Sequence, residues 1–231
     1  MDSIRIVQIE TAISEGSVAL SENGKTLESL SLPSSDSHSA MLGSSVQELL
    51  NSGDGKSIDA VAVSMGPGSY TGLRIGMSFA RGLAIARKVP LIGLETLAIL
   101  ANCAVEAGYQ NRPIRPLLDA RRMEVYTALF GEGLKRLEDD RAQVVDESTF
   151  REDPSNCLYF GNGVEKLMEL YPERRENFHP EIRLHASGMS ALAFEQFKVQ
   201  DITGYQQKSI YLKEFKVGDS GAKIRRLLLG D

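Results

Sequence analysis

Residues 60–88 read AVAVSMGPGSYTGLRIGMSFARGLAIARK, and this stretch restricts the fold more than any other in the chain. A largely apolar run over 58–64 predicts a strand. Gly66, Pro67 and Gly68 end it, because glycine admits backbone angles that other residues avoid and proline fixes φ and withholds an N–H donor. Ser69 or Thr71 then supplies the oxygen that caps a helix over 72–87. The turn residues Gly66, Pro67, Gly68, Ser69, Tyr70 and Thr71, with Arg74 one turn into the helix, form the first candidate site.

The helix is apolar over more of its circumference than one sheet covers. At about 100° per residue, Ile75, Phe79, Gly82, Leu83 and Ala86 share one arc, while Leu73, Gly76, Met77, Ala80 and Ala84 share an adjoining one. Arg74, Ser78 and Arg81 mark the polar stripe. A helix lying on a single sheet needs an apolar stripe about 100° wide, so the excess predicts a second packed surface. Gly72, Gly76, Ala80 and Ala84 add a ridge of small residues at four-residue spacing, over which another helix can approach closely. Periodicity leaves open whether that surface packs inside the same chain or against a partner. Gly-rich turns before helices bind anions, but neither the lysine nor the hydroxyl of a Walker loop follows this one.

Upstream, 4–9, 17–21 and 26–32 read as strands, and Asn23-Gly24 predicts a tight hairpin between the last two. A helix over 40–51 carries Leu42, Val46, Leu49 and Leu50 on one face and ends at Gly53 and Gly55. A short strand over 90–93 and a helix over 95–106 follow the signature helix. The order β-β-β-α-β-α-β-α predicts an α/β fold with a mixed sheet, an antiparallel hairpin and parallel crossovers, as in ribonuclease-H-like and actin-like lobes. Gly, Gln, Asn, Arg and Pro cluster over 108–113, which places a lobe boundary there and divides the chain into 1–110 and 111–231. Strands over 114–118, 124–130, 141–145 and 158–160, with helices over 164–170 and 187–196, build the second lobe from the same element types. A basic-apolar segment, AKIRRLLL, closes the chain.

The chain has 231 residues, 42% of them hydrophobic, enough for one large domain or two small lobes with their own cores. A net charge of −5 argues against a stand-alone nucleic-acid binder, whose affinity depends on clustered Lys and Arg. Any RNA contact would be local or shared with a partner. No run of about 20 apolar residues is present to span a bilayer, and the first residues lack a signal-type core, so a cytoplasmic protein with no membrane contact is expected. Cys103 and Cys157 form no CxxC pattern and are expected as buried, reduced thiols. His38, His179 and His185 do not share the two-His spacing of a helical metal site, so no metal is expected.

The segment GPGSYTGLRIG resembles the signature of the TsaB (YeaZ) family of bacterial tRNA threonylcarbamoyladenosine synthesis. Further on, LLDARRMEVY resembles that family's D-A-R followed by E-V-Y, and Tyr211-Leu212-Lys213 resembles its tail element. The resemblance implies two actin-like lobes of the ASKHA superfamily and a non-catalytic protein that binds and activates a TsaD-type paralogue. It implies a TsaE-type ATPase as a further partner, tRNA met through the complex, and homodimers when the chain is alone. The two helices over 40–51 and 72–87 would then form the partner surface, through Leu42, Val46, Gly72, Leu73, Gly76, Met77, Ala80 and Ala84.

The isolated chain is expected to hold no cofactor, with ATP or ADP bound in the partner complex. Glu10, Thr11, Asp119 and Arg121 are candidates for contacts to such a shared ligand, although the family usually carries Asp where Glu10 stands. TsaD-type proteins carry H-x-x-x-H after the strand that follows the signature helix, and here Thr96 and Leu100 stand in those places. The alternative is a stand-alone enzyme of the same superfamily, either a glycoprotease-like metallopeptidase or an actin-like ATPase.

Overall fold

The computed structural model of the chain describes residues 3–34, 38–52, 57–199 and 209–212. Two five-stranded sheets carry the fold. The first is formed by β1 (Arg5–Glu10), β2 (Glu15–Glu22), β3 (Lys25–Ser34), β4 (Ala60–Gly66) and β5 (Leu91–Glu95), in the order β3-β2-β1-β4-β5. β1, β2 and β3 pair antiparallel, whereas β4 runs parallel to both β1 and β5. Asn23 and Gly24 both adopt positive φ at the β2–β3 turn, as the Asn-Gly pair predicts.

Helix α1 (His38–Ser52) crosses from β3 to β4, α2 (Tyr70–Arg87) from β4 to β5, and α3 (Thr96–Glu106) leads out of the sheet. β1 and β4 are buried along their whole length because helices cover the sheet on both faces; the near-continuous apolar sequence of β4 reflects it, whereas β1 buries Arg5, Gln8 and Glu10 along with its apolar residues. One face packs Val7, Ile9, Val61 and Val63 against Leu42, Val46 and Leu49 of α1 and Met77, Ala80 and Ala84 of α2.

The second sheet contains β6 (Ile114–Asp119), β7 (Glu124–Phe130), β8 (Arg136–Val144), β9 (Leu158–Phe160) and β10 (Phe178–His179), in the order β10-β9-β6-β7-β8. α3 lies between the sheets, and a single core joins Ile6, Ala60, Ile92, Leu97 and Leu100 with Ile114, Ala128, Phe130 and Phe160. After the short α4 (Glu165–Met168), the chain returns to the first sheet. Ala186 N–H donates to Ser17 Oγ at 2.9 Å, the Thr26 and Ser190 hydroxyls lie 2.8 Å apart, and α5 (Ser190–Lys198) packs on β1, β2, β3 and β5. Residues 186–198 therefore belong by packing to the first sheet, although they fall in the half that composition assigns to the second lobe.

Two departures from the sequence pattern have local causes. β8 begins at Arg136, five residues before the expected strand, because Arg136, Glu138 and Asp140 pair with charged neighbours and hide the strand behind polar residues. β10 spans only two residues, too few for any period to show. The tail expectation over 222–229 lies outside the described residues. Among the described residues, no helix is long and apolar enough to cross a membrane.

Candidate functional site

The ends of β1 and β4 meet the start of α2, and Gly66, Ser69 and Tyr70 of the signature turn are each held there by a named partner. Ser69 Oγ accepts from Gly72 N–H at 3.2 Å and caps the helix, while its own N–H donates to the Ala12 carbonyl at 2.7 Å. Thr11 Oγ1 donates to the Gly72 carbonyl at 2.9 Å. Gly66 N–H donates to Thr96 Oγ1 at 3.0 Å. The Gly66–Pro67 peptide is cis and Gly66 has φ 117°, which only glycine adopts readily. A strap from further along the chain closes the turn from outside. Ile210 N–H donates to the Met65 carbonyl at 2.6 Å, and the Tyr211 ring lies 5.0 Å from that of Tyr70.

The small-residue ridge is corrected by this geometry. Gly72, Leu73, Gly76, Met77, Ala80 and Ala84 are all buried, and they face the chain's own β1 and β4 rather than solvent. A Cβ at Gly72 would overlap the Thr11 carbonyl, and one at Gly76 would overlap Thr11 Oγ1. Leu42 and Val46 of α1 are buried in the same core. These eight residues are therefore covered within the chain. The small residues let α2 sit close on the end of β1, which periodicity alone left open.

What the two helices leave exposed lies one face over. Tyr70, Thr71, Arg74, Ile75, Ser78 and Phe79, floored by Leu42, line an open groove of about 590 Å³. Arg74 Nη1 donates to Tyr70 Oη at 3.1 Å, and its guanidinium lies 5.3 Å above the Tyr70 ring. Apolar side chains dominate the floor, with polar groups at one rim. Ile75 and Phe79 were legible only as members of a broad apolar arc, because the partner that decides their exposure, α1, lies some thirty positions upstream.

Glu10 and Thr11 are fully buried at the end of β1. Burial pushes the Glu10 carboxyl up to about 7, against the Ala12 N–H at 2.5 Å, the nearby Ser64 hydroxyl and the Thr11 backbone, which favour the charged form. Ser64 lies close, yet neither its Oγ nor Glu10 Oε2 completes a hydrogen bond. A carboxyl whose folded value exceeds its unfolded one contributes stability that is complete below about pH 4.5 and lost as pH rises through about 7. Glu10→Gln keeps an acceptor for Ala12 N–H and should remove this dependence. Urea unfolding at pH 8 should then find the variant about 2–3 kcal/mol more stable than the parent, and at pH 4.5 little different. An equal difference at both pH values would contradict the assignment.

Asp119 is engaged by its own neighbours. Its Oδ1 pairs with Lys166 at 2.5 Å and accepts from Arg121 N–H at 2.7 Å, and its own N–H donates to Asn162. Arg121 is exposed on the β6–β7 turn with φ 68°. Between the sheets, Ile13, Ser14, Glu15, Leu118, Asn162, Arg183 and Leu184 enclose about 60 Å³, room for water but far below a nucleotide-sized pocket. Arg183 spans this cleft to Glu15 at 3.4 Å. Among the described residues, no group of three or more His, Cys, Asp or Glu is placed to hold a metal ion. Burial pushes both the Cys103 and Cys157 thiols up to about 12, and neither is bridged.

Residues 33–212 match the family model described as TsaD: tRNA N6-adenosine threonylcarbamoyltransferase. The tRNA threonylcarbamoyladenosine biosynthesis protein TsaB of Escherichia coli is 38% identical over 128 residues, and the match spans about half the length of each protein. TsaB of Buchnera aphidicola subsp. Acyrthosiphon pisum is 31% identical over 215 residues, 91% of this chain and 85% of the relative. YeaZ from Pseudomonas aeruginosa superposes with a TM-score of 0.76 over 90% of this chain and 100% of its own, at 24% identity, and so shares the fold.

Proposed function

The chain belongs to the TsaB (YeaZ) family, and from that membership we propose that it is the non-catalytic protein that binds and activates a TsaD-type transferase. The reaction supported is formation of N6-threonylcarbamoyladenosine at position 37 of tRNAs that read codons beginning with A. The observation that carries the reading is the α1–α2 groove, an exposed apolar surface built directly on the family's signature turn. A surface of this kind, apolar at its centre and polar at one rim, suits a protein partner.

The residues standing where a transferase has its His pair support the same reading. Thr96 spends its hydroxyl holding Gly66, and Leu100 is fully buried in the core between the sheets. A TsaE-type ATPase is the further partner, and tRNA is met through the complex. ATP or ADP is bound in the complex with the partner. Alone, the chain uses the same groove to pair with a second copy.

Ser78 tests the groove. It is exposed within the lining, so a change there should alter folding stability by no more than about 0.5 kcal/mol. Ser78→Glu would carry a carboxylate into the apolar groove on association, and even with Arg74 one turn before it the desolvation should cost about 3 kcal/mol and weaken heterodimer formation about a hundredfold by calorimetry. Ala86→Glu, exposed near the far end of the same helix, is the control and should bind as the parent does. Unchanged binding by Ser78→Glu would place the partner elsewhere.

A further inference from the structure

We propose that Arg74 decides between the two pairings of the α1–α2 groove: it selects a transferase surface that brings a carboxylate to the rim over a second copy of this chain, which brings none. The inference rests on the partner reading above and adds to it the chemistry of the surface that fits. Among the described residues that line the groove, Arg74 alone is charged, and it is exposed. Its guanidinium donates to Tyr70 Oη at 3.1 Å and lies 5.3 Å over that ring. A neutral group therefore holds it in place, and among the described residues it forms no ion pair.

The rest of α2 carries charge of the same sign. Its residues include Arg74, Arg81 and Arg87 with no Asp or Glu, and Lys88 caps it, in a chain whose net charge is −5. α1 contributes Glu48, which is exposed but lies outside the groove lining. Two copies that pair through this groove present the same patch to each other, so two cationic helices meet with no carboxylate in either lining. A guanidinium that loses water without gaining a counter-charge is destabilised, and like charges add repulsion. A docking face with Asp or Glu opposite the rim reverses both effects, because the planar guanidinium, already oriented by Tyr70, can grip a carboxylate through two charge-assisted hydrogen bonds. Both pairings cover the same apolar floor, so the preference comes from the difference in charge and not from the area buried.

Arg74→Gln removes the charge and keeps a donor for Tyr70, and it should move the two pairings in opposite directions. Binding to the TsaD-type transferase should weaken about tenfold by calorimetry, while self-association should tighten about threefold by sedimentation. Arg74→Lys keeps the charge and should stay nearer the parent in both measurements, whereas a residue that served only to pack on Tyr70 would be lost alike in the two variants. Raising NaCl from about 50 to about 500 mM should weaken the parent's heterodimer and leave its self-association no weaker, since screening removes attraction from the first and repulsion from the second. Self-association no tighter in Arg74→Gln than in the parent, or a heterodimer that the substitution leaves unchanged, would each overturn the proposal. A parent chain that does not bind the transferase at all would instead remove the partner reading itself, a result distinct from a parent and an Arg74→Gln variant that bind equally well.

Discussion

Ala80→Glu should not give a folded protein. Ala80 is fully buried where α2 lies on the first sheet, in the core that also holds Val61, Val63 and Met77. The residues that surround it there are apolar and offer a carboxylate no hydrogen bond. An unpaired charge there costs several kcal/mol, and the extra volume adds overpacking of about 1–3 kcal/mol. Together these are comparable with the whole stability of a domain, about 5–15 kcal/mol. Expression of insoluble protein, or a chain without a cooperative unfolding transition, is the expected outcome. Ala80→Ser, one oxygen larger, should fold with a modest loss. A soluble, cooperatively folding Ala80→Glu that only fails to bind a partner would mean that the ridge faces outward after all.

Arg115→Ala should produce the next largest loss. Arg115 is 1% exposed, grips Asp153 through two hydrogen bonds of 2.6 Å and Glu138 through two of 3.0 and 3.1 Å, and lies 4.4 Å over the Phe150 ring. Burial works against the charged guanidinium, but the hydrogen bonds and charge of Asp153 and Glu138 outweigh it and raise its proton affinity above the ordinary arginine value. Removing it strands Asp153, which is almost fully buried and also accepts from Tyr159. Breaking a buried charge cluster from one side costs about 3–5 kcal/mol, which for a chain of this length lowers Tm by about 10 °C. Arg115→Met combined with Asp153→Asn should recover part of that loss, because no charge is then left alone. A loss under about 1 kcal/mol for the single variant would show that solvent reaches the cluster.

The elements that sequence makes legible are those whose signal is local. The strand, turn and cap at 60–72 are dictated by neighbours within a few residues, and Asn23-Gly24 sets its hairpin in the same way. The ridge on α2 was not decidable locally, since what fills the space beside Gly72 and Gly76 is Thr11, some sixty positions earlier. The return of residues 186–198 to the first sheet rests on hydroxyl and amide contacts spanning more than 160 residues, for which no periodicity exists. The strap is similar. Tyr211 carried a family resemblance, but its position over Tyr70 came only from the fold. Of the candidate ligand contacts, Glu10 and Thr11 turn inward to hold the signature turn, and Asp119 is engaged by Lys166.

The central claim is that this chain supports a transfer that another protein performs. The direct measurement is reconstitution with threonylcarbamoyl-adenylate as donor and ATP present: threonylcarbamoylation of adenosine 37 in an unmodified tRNA, with release of AMP, assayed with this chain alone, with a TsaD-type transferase and TsaE-type ATPase alone, and with all three together. The account predicts no product from the first mixture, little from the second, and full modification from the third, with loss again when Ser78→Glu replaces the parent chain. Modified tRNA from this chain alone, or transfer by the other two proteins that is unaffected by adding it, would contradict the account.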